Sequence, residues 1–190
     1  MKHFSDAWHV RPPRTNVALR PINGLHAKNV QDDRRVATHN RTMTSLDVAI
    51  RGDDSLTDAK LAIVVRDDLM VWQKLNVTAF LVSGFGSYAP SIIGEPYVDG
   101  SDRRYLAMLV SPVLVFAGDA AAVRRAFNRA VERSIATSVY TDDMFSTFND
   151  TDNRAAVRRV ATGELGLAGF GLIGDRRQVD KALDKLRLHA

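Results

Sequence analysis

From Lys60 onward, two kinds of hydrophobic segment take turns along the chain. Continuous apolar runs of β-prone residues predict four buried strands, at residues 61–65, 113–116, 135–140 and 165–173. Apolar residues at helical spacing between these runs predict four helices, at residues 69–85, 120–133, about 150–160 and 176–186. Because strands alternate with helices, the pattern predicts an α/β layered sandwich.

Polar residues and glycines mark the turns and ends of these elements. Residues 92–110 read as an extended stretch with the turn sequence Asp99-Gly100-Ser101-Asp102, which predicts an extra β-hairpin. Asp119 is the predicted N-cap of the second helix, and Asp150 or Asp152 that of the third. Two glycines, at 84 and 86, are predicted to end the first helix. Four more, at 166, 169, 171 and 174, predict close backbone packing around the fourth strand.

Residues 1–58 show no sustained apolar period and contain three prolines and two glycines. Such a segment buries too little apolar surface to offset the entropy lost on ordering. We therefore expect a disordered basic extension at 1–58 and one domain at 59–190. Met43 lies just upstream of that domain, so translation starts there or the preceding residues are a genuine extension. Either way, we expect residues 1–42 to be trimmed by limited proteolysis, leaving a stable core.

Charge is distributed unevenly along the chain, whose formal net charge is +4. Residues 1–42 hold eight Lys and Arg against three Asp, a balance of +5, whereas residues 43–190 hold eighteen basic and nineteen acidic residues, a balance of −1. A near-neutral domain is poorly equipped to hold a nucleic-acid backbone, so we expect no nucleic-acid partner.

Composition excludes several other classes of site. The chain has no Cys, which removes disulfides, thiolate zinc sites and a cysteine nucleophile. The five His residues show no metal-ligand spacing, so we expect no metal and no cofactor. No apolar run approaches the roughly 18–20 residues that span a bilayer. We therefore expect a cytoplasmic protein without a membrane segment.

Polar side chains follow the first and third predicted strands. Asp68 comes after the first strand, and Asp142 and Asp143 come after the third. If those strands run parallel, their carboxyl ends meet at one sheet edge, where ligands bind in open α/β sheets. Lys74, in the first turns of the following helix, could bind an anion or activate water. The site hypothesis is that Lys74 converges with Asp142 or Asp143 as catalytic groups. The alternative is that Asp68 caps the helix and Lys74 is solvated.

Four further residues in this stretch are candidates for substrate binding: Arg66, Asp68, Trp72 and Asn76. Asn76 is unfavourable inside a helix, which predicts a specific hydrogen bond. Trp72 is either a packed ring or a stacking platform.

Four blocks of sequence resemble a known bacterial family. KLAIVVRDDLMVWQKLNVTAFLVSGF, IIGEPYVDGSDRRYLAM, PVLVFAG and FGLIGDRRQVDKALDKLRL are similar in order and spacing to the family catalogued as domain of unknown function two thousand. The resemblance covers about residues 59–188. Because that family is grouped with the type-two peptidyl-tRNA hydrolase fold, the resemblance implies a three-layer α/β/α sandwich. Its sheet would be mixed and four-stranded, with one antiparallel strand.

The hydrolase pattern is only partly present. Its R-x-D-L after the first strand matches Arg66, Asp68 and Leu69. Of M-G-x-G-K-x-A-A-Q, only Lys74 lines up with the catalytic Lys. Asp142 or Asp143 lies near the position that the catalytic Asp has in the hydrolase pattern. The A-G-R-T-Q that follows that Asp in the hydrolases is absent here. The resemblance therefore does not imply cleavage of peptidyl-tRNA.

The resulting interpretation is a domain that binds an unknown small molecule or peptide on a peptidyl-tRNA hydrolase-like scaffold. Hydrolase or transferase activity on an unknown substrate is compatible with this interpretation. Two alternatives stay open. One is a divergent peptidyl-tRNA hydrolase-like esterase. The other is an oligomerising interaction protein, such as a homodimer, that binds no ligand.

Overall fold

The computed structural model describes residues 59–189 of the 190-residue chain. Its helices and strands follow one another in the order β1 (Lys60–Arg66), α1 (Val71–Tyr88), β2 (Val113–Gly118), α2 (Ala120–Glu132), β3 (Ala136–Thr141), α3 (Asp150–Arg158), β4 (Leu167–Gly174), α4 (Arg176–Ala182) and β5 (Arg187–Leu188). Short 3₁₀ helices lie at Pro90–Ile92, Asp142–Ser146 and Thr162–Glu164. The expectations for residues 1–58, including a start at Met43, lie outside the described residues.

The strands form one mixed, open sheet in the order β3-β4-β1-β2-β5. β1 is parallel to β2, whereas β4 is antiparallel to both β1 and β3. It follows that β3 runs in the same direction as β1, and that Arg66 and Thr141, their last residues, lie at the same edge of the sheet. The predicted α/β class is confirmed, and β1 and β3 have the parallel sense on which the site hypothesis depends.

β1 is central, and its five middle residues are buried. Its side chains alternate between two cores. Leu61, Ile63 and Val65 join the core that α1 covers with Val77, Leu81 and Phe85. Ala62 and Val64 join the second core, beneath α2 and α4. Because both faces of the strand are covered, β1 is apolar at every inner position, each Val or Leu contributing about 1.5–3 kcal/mol by burial.

The sheet has five strands and two antiparallel ones, β4 and β5, so the expectation of four strands with one antiparallel strand was wrong. Residues 176–186 were expected to form one helix, but α4 ends at Ala182. Lys185 takes a left-handed backbone conformation with φ of 70°, and the Leu186 amide donates to the Leu183 carbonyl at 2.9 Å. This turn sends β5 back along β2, where Phe116 pairs with Leu188. A two-residue strand is too short to leave a periodic signal.

α1 continues through the two glycines that were expected to end it. The helix ends at Tyr88. The next residue, Ala89, precedes Pro90, and a proline disfavours helical backbone angles in the residue before it. Gly84 and Gly86 instead permit close packing. A Cβ on Gly84 would lie 3.4 Å from the Ser138 Cβ, and one on Gly86 would lie 3.2 Å from the Ile93 Cδ1. The prediction that these glycines end the helix was therefore wrong.

Side-chain caps define the starts of the next helices. Asp119 caps α2 by accepting from the Ala122 amide at 2.7 Å, as predicted. α3 is capped by Asn149, which accepts from the Asp152 amide at 2.9 Å. The prediction that Asp150 or Asp152 caps α3 was wrong because the helix already starts at Asp150, one position after its cap.

Residues 93–110 form the predicted hairpin in an irregular way. Two isolated antiparallel bridges join Ile93 to Leu109 and Val98 to Arg104, in place of continuous strands. The turn closes through the Asp102 amide, which donates to the Asp99 carbonyl at 3.0 Å. Within residues 59–189, no helix has the length and apolar character that crossing a membrane would require.

Candidate functional site

Arg66 joins the two segments that meet at the carboxyl end of β1. Its Nε donates to Asp68 Oδ1 at 2.8 Å, and its Nη1 donates to Asp142 Oδ2 at 2.7 Å. The Arg66 side chain is only 18% exposed, whereas the carboxylates are 65% and 45% exposed. The predicted meeting of the residues after β1 with those after β3 is thus present for Arg66, Asp68 and Asp142, and we name these three residues the Arg66 cluster.

The two carboxylates hold Arg66 in its charged form. Partial burial by itself lowers the pKa of Arg66, but the hydrogen bonds and charges of Asp68 and Asp142 outweigh that effect, and the pKa is raised above its ordinary value. The Asp142 amide also donates to the Gly166 carbonyl at 2.8 Å, which ties this end of β3 to the segment before β4. Arg66 therefore stays charged and links the segment after β1 to the segment after β3 at this edge of the sheet.

Asp68 does not cap α1. The helix begins at Val71 with Met70 as its N-cap, and its first turn contains no acidic residue. Gln73 supplies the capping contact, since its Oε1 accepts from the Met70 amide at 2.9 Å. The alternative interpretation of Asp68 as a helix cap was wrong, because Asp68 lies outside the helix and its carboxylate is engaged by Arg66.

Lys74 lies in the first turn of α1 and is partly buried. Its amide donates to the Met70 carbonyl at 3.0 Å, and its own carbonyl accepts from the Thr78 hydroxyl at 2.8 Å. Within residues 59–189, neither the Lys74 ammonium nor the Asp143 carboxylate takes part in an ion pair. The convergence of Lys74 with Asp142 or Asp143 therefore remains a prediction.

Asn76 makes the specific hydrogen bond that its place in a helix predicts. Its Nδ2 donates to the Tyr140 hydroxyl at 3.2 Å, which connects α1 to the end of β3. Burial raises the pKa of Tyr140, the hydrogen bond from Asn76 lowers it, and the net shift is upward. The Tyr140 hydroxyl therefore stays protonated at neutral pH and can itself donate.

A row of four aromatic rings lies beside this hydrogen bond. Trp72 meets Phe145 edge to face with ring centroids 6.0 Å apart, Phe145 lies 5.0 Å from Tyr140, and Tyr140 lies 5.7 Å from Phe80. Tyr140 is buried, whereas the end members Trp72 and Phe80 are 42% and 52% exposed. This aromatic row is thus anchored in the core at its centre and open to solvent at its ends.

Sequence reasoning identified one member of the row, Trp72, and missed the other three. Phe145 lies two residues after Asp143 and could have been found as an aromatic residue close to candidate acids. Phe80 and Tyr140 lie within a helix and a strand, where the sequence pattern assigns aromatic residues to the core. In the part of the chain that the structure describes, no group of three or more His, Asp or Glu side chains is arranged to hold a metal ion.

The fold and this sheet edge define a class of protein: an α/β domain with a mixed five-stranded sheet that presents charged and aromatic groups together at the ends of β1 and β3. The chain belongs to the family described as Protein of unknown function (DUF2000), whose model matches residues 59–190. The resemblance found in the four sequence blocks is thereby confirmed for the family.

A similar solved structure is that of the protein of unknown function Atu0240 from Agrobacterium tumefaciens strain C58. The two chains are 44% identical, the match covers 70% of this chain and 98% of that chain, and the TM-score is 0.68. No curated protein matches the chain. These relatives support the fold and provide no activity to transfer.

Proposed function

We propose that residues 59–190 form a binding domain for a small molecule or short peptide, which contacts the aromatic row and the Arg66 cluster. The observation that carries the proposal is the half-exposed ring of Trp72, which rests against Phe145 and lies a few residues along the chain from Arg66. Ligand sites usually combine an apolar surface with a few placed polar groups, and this sheet edge offers both.

The outward face of α1 supports the same proposal. Val71, Leu75 and Phe80 are 75%, 67% and 52% exposed, while other residues of the same helix fill the core. Exposed apolar side chains that lie close together on a surface mark sites where a ligand or partner binds. A ligand with an apolar group would cover part of this face, and a polar group on it could reach Arg66 or its carboxylates.

Ester hydrolysis fits the same edge less well. A general base must be free to take a proton, but Asp142 already accepts a hydrogen bond from Arg66 at 2.7 Å. Binding is therefore better supported than a divergent esterase.

We also propose that the fold is of the type-two peptidyl-tRNA hydrolase kind. In support, β4 is antiparallel to both its neighbours, and helices pack on both faces of the sheet.

The test uses the full chain purified from its natural host and examined by native mass spectrometry. We expect a retained small molecule or peptide in the wild type. Lys74→Ala and Asn76→Ala should lose it while the free energy of unfolding changes by no more than about 1 kcal/mol, as for most partly exposed positions. Phe148→Ala is the control, because Phe148 is 88% exposed and outside the aromatic row, and it should retain the ligand.

Fluorescence gives an independent readout of the same site. The chain has two tryptophans, so a Trp8→Phe background leaves Trp72 as the reporter. Adding the released ligand back should change Trp72 emission. A ligand that is retained equally by all variants, or that leaves Trp72 emission unchanged, would place binding elsewhere and contradict the proposal.

A further inference from the structure

Three residues of α1 that are spaced by four lie on one strip of the helix surface. They are Trp72, Asn76 and Phe80, and side chains four residues apart are neighbours on a helix. The rings of Trp72 and Phe80 are 42% and 52% exposed, and Asn76 is partly buried. The strip therefore places one polar amide between the two solvent-exposed ends of the aromatic row.

Tyr140 supports the Asn76 amide from the neighbouring strand. Asn76 Nδ2 donates to the Tyr140 hydroxyl at 3.2 Å, and Tyr140 is only 3% exposed. The Tyr140 ring packs against Phe145, with 5.0 Å between ring centroids, and against Phe80, with 5.7 Å. Because this ring is buried and contacts two others, it gives the Asn76 amide a well-placed hydrogen-bond partner.

Much of the hydrogen-bonding capacity of Asn76 is not used by the protein itself. A side-chain amide offers two N–H donors and one carbonyl oxygen. Within residues 59–189, the side chain of Asn76 makes a single hydrogen bond, the one to Tyr140. One N–H and the carbonyl oxygen therefore face no protein partner. A donor and an acceptor on one planar group are complemented by a second amide, which offers an acceptor and a donor.

Charge at this edge of the sheet favours a peptide over a nucleotide as the source of that second amide. A nucleobase also carries donors and acceptors, but in a nucleotide it is joined to phosphate. Segments 66–68 and 142–143 contain one Arg and four Asp, a balance of −3, which becomes −2 when Lys74 is included. Like charges repel, so this edge disfavours a phosphate, whereas a peptide bond is uncharged and is accepted.

We propose that Asn76 determines the specificity of this site and that the ligand carries an uncharged amide, as a short peptide does. The free N–H and carbonyl oxygen of Asn76 hydrogen-bond the ligand amide, and an apolar group of the ligand contacts the exposed rings of Trp72 and Phe80. Tyr140 is a positioning residue that acts through Asn76. This inference rests on the proposed ligand site and narrows it, because the aromatic row by itself would also accept a ligand without an amide.

Two matched probes test the inference through Trp72 fluorescence in the full chain carrying Trp8→Phe. N-phenethylacetamide has one phenyl ring and one amide, and its ketone analogue has a methylene group in place of the N–H. We expect the amide to bind at least about fivefold more tightly than the ketone, because the ketone leaves the Asn76 carbonyl oxygen without a donor. In Asn76→Leu, the two dissociation constants should become equal.

Thr78→Val is the matched control for the loss of a polar group from α1. Thr78 is also partly buried, and its hydroxyl donates to the Lys74 carbonyl within the helix at 2.8 Å. This variant should keep the preference for the amide. Tyr140→Phe is a second variant for the case that Asn76→Leu does not fold. It keeps the ring and removes the hydroxyl, so the preference should fall while the affinity for the ketone stays unchanged.

The results distinguish failure of this inference from failure of the proposed site. If both probes change Trp72 emission with equal affinity in the wild type, the site stands and the role of Asn76 is overturned. If neither probe changes Trp72 emission, both proposals are contradicted. Equal weakening of the two probes in Asn76→Leu would show that Asn76 is only structural. Tighter binding of adenosine than of the amide probe would overturn the inference in favour of a nucleoside ligand.

Discussion

Arg66 shows how a single half-buried cation organises a surface site. It lies on the last position of a central strand, and its guanidinium reaches Asp68 on its own segment and Asp142 on another. Two well-aligned charge-assisted bonds in different directions fix the orientation of a guanidinium better than one. The charged part of the candidate site is therefore held in a defined orientation.

Neutralising Asp142 tests how much its ion pair with Arg66 contributes to stability. We expect Asp142→Asn to lower the free energy of unfolding by about 1 kcal/mol, because the pair is partly solvent-screened. Asp143→Asn is the control, since no ion pair within residues 59–189 includes Asp143, and its effect should stay below about 0.5 kcal/mol. Urea denaturation measures the free energy of unfolding of both variants. Equal decreases in the two variants would show that the Arg66–Asp142 ion pair does not stabilise the fold.

The hairpin turn has its own pH-sensitive contact. Asp99 accepts from the Tyr105 hydroxyl at 2.8 Å and from the Ser101 and Arg103 amides, and these hydrogen bonds lower the pKa of Asp99. A carboxyl with a lowered folded-state pKa stabilises the turn above its ordinary pKa. That contribution is lost as pH falls below about 3.8 and through the lowered value.

A carboxyl carbon NMR titration of Asp99 tests this contact. Tyr105→Phe removes the hydroxyl that contributes most, so the pKa of Asp99 should rise towards its ordinary value. Tyr97→Phe removes a hydroxyl from the facing arm that makes no hydrogen bond with Asp99, and it should leave the titration unchanged. A pKa that is the same in all three proteins would show that the tyrosine contact is absent in solution.

At the scale of elements, the glycines of β4 determine how closely α1 lies against the sheet. A Cβ on Gly169 would come within 2.6 Å of the Val64 carbonyl oxygen and 2.9 Å of the Val77 Cγ1. One on Gly171 would come within 2.6 Å of the Ser138 Oγ. These contacts are with the neighbouring strands β1 and β3 and with α1, so β4 can pair and pack in this register only without side chains there.

Gly169→Ala is expected to be strongly destabilising. The added methyl meets a backbone oxygen that cannot rotate away, so we expect a loss of about 2–3 kcal/mol in the free energy of unfolding. Gly163→Ala is the matched control, because a Cβ at Gly163 meets nothing within 4 Å, and it should be close to neutral. A difference of less than about 1 kcal/mol between the two variants would mean that β4 and its neighbours shift apart without strain.

At the scale of the whole molecule, the order of the elements gives the domain two separate regions with exposed apolar side chains. The aromatic row and the Arg66 cluster lie where β1 and β3 end, while the hairpin joins the far end of α1 to β2. Each region exposes apolar side chains that the domain itself leaves uncovered.

Peptidyl-tRNA is not an expected substrate of this molecule. The domain lacks the A-A-Q and A-G-R-T-Q elements, and its near-neutral charge gives little attraction for a phosphate backbone. Purified protein should therefore release no peptide from labelled peptidyl-tRNA under conditions in which a type-two hydrolase does. Cleavage that disappears in Lys74→Ala would reverse this prediction and revive the esterase alternative.

The local sequence determined the elements that depend on local pattern. Continuous apolar runs predicted the four longer strands, because a central strand covered on both faces needs apolar residues at every position. Asp119 predicted the start of α2, since its carboxylate satisfies an amide within its own first turn. Asn76 likewise predicted a hydrogen bond from its cost inside a helix, although not its partner.

Only the tertiary structure decided which side chains meet. The parallel sense of β1 and β3 depends on β4 pairing between them, and this long-range pairing brings Arg66 to Asp142, 76 residues away. The role of Gly84 also depends on a neighbour, Ser138, that no local pattern reveals. β5 exists because a turn at Lys185 delivers two residues to a free edge. Sequence periodicity describes one segment at a time, whereas a site is made by contacts between segments.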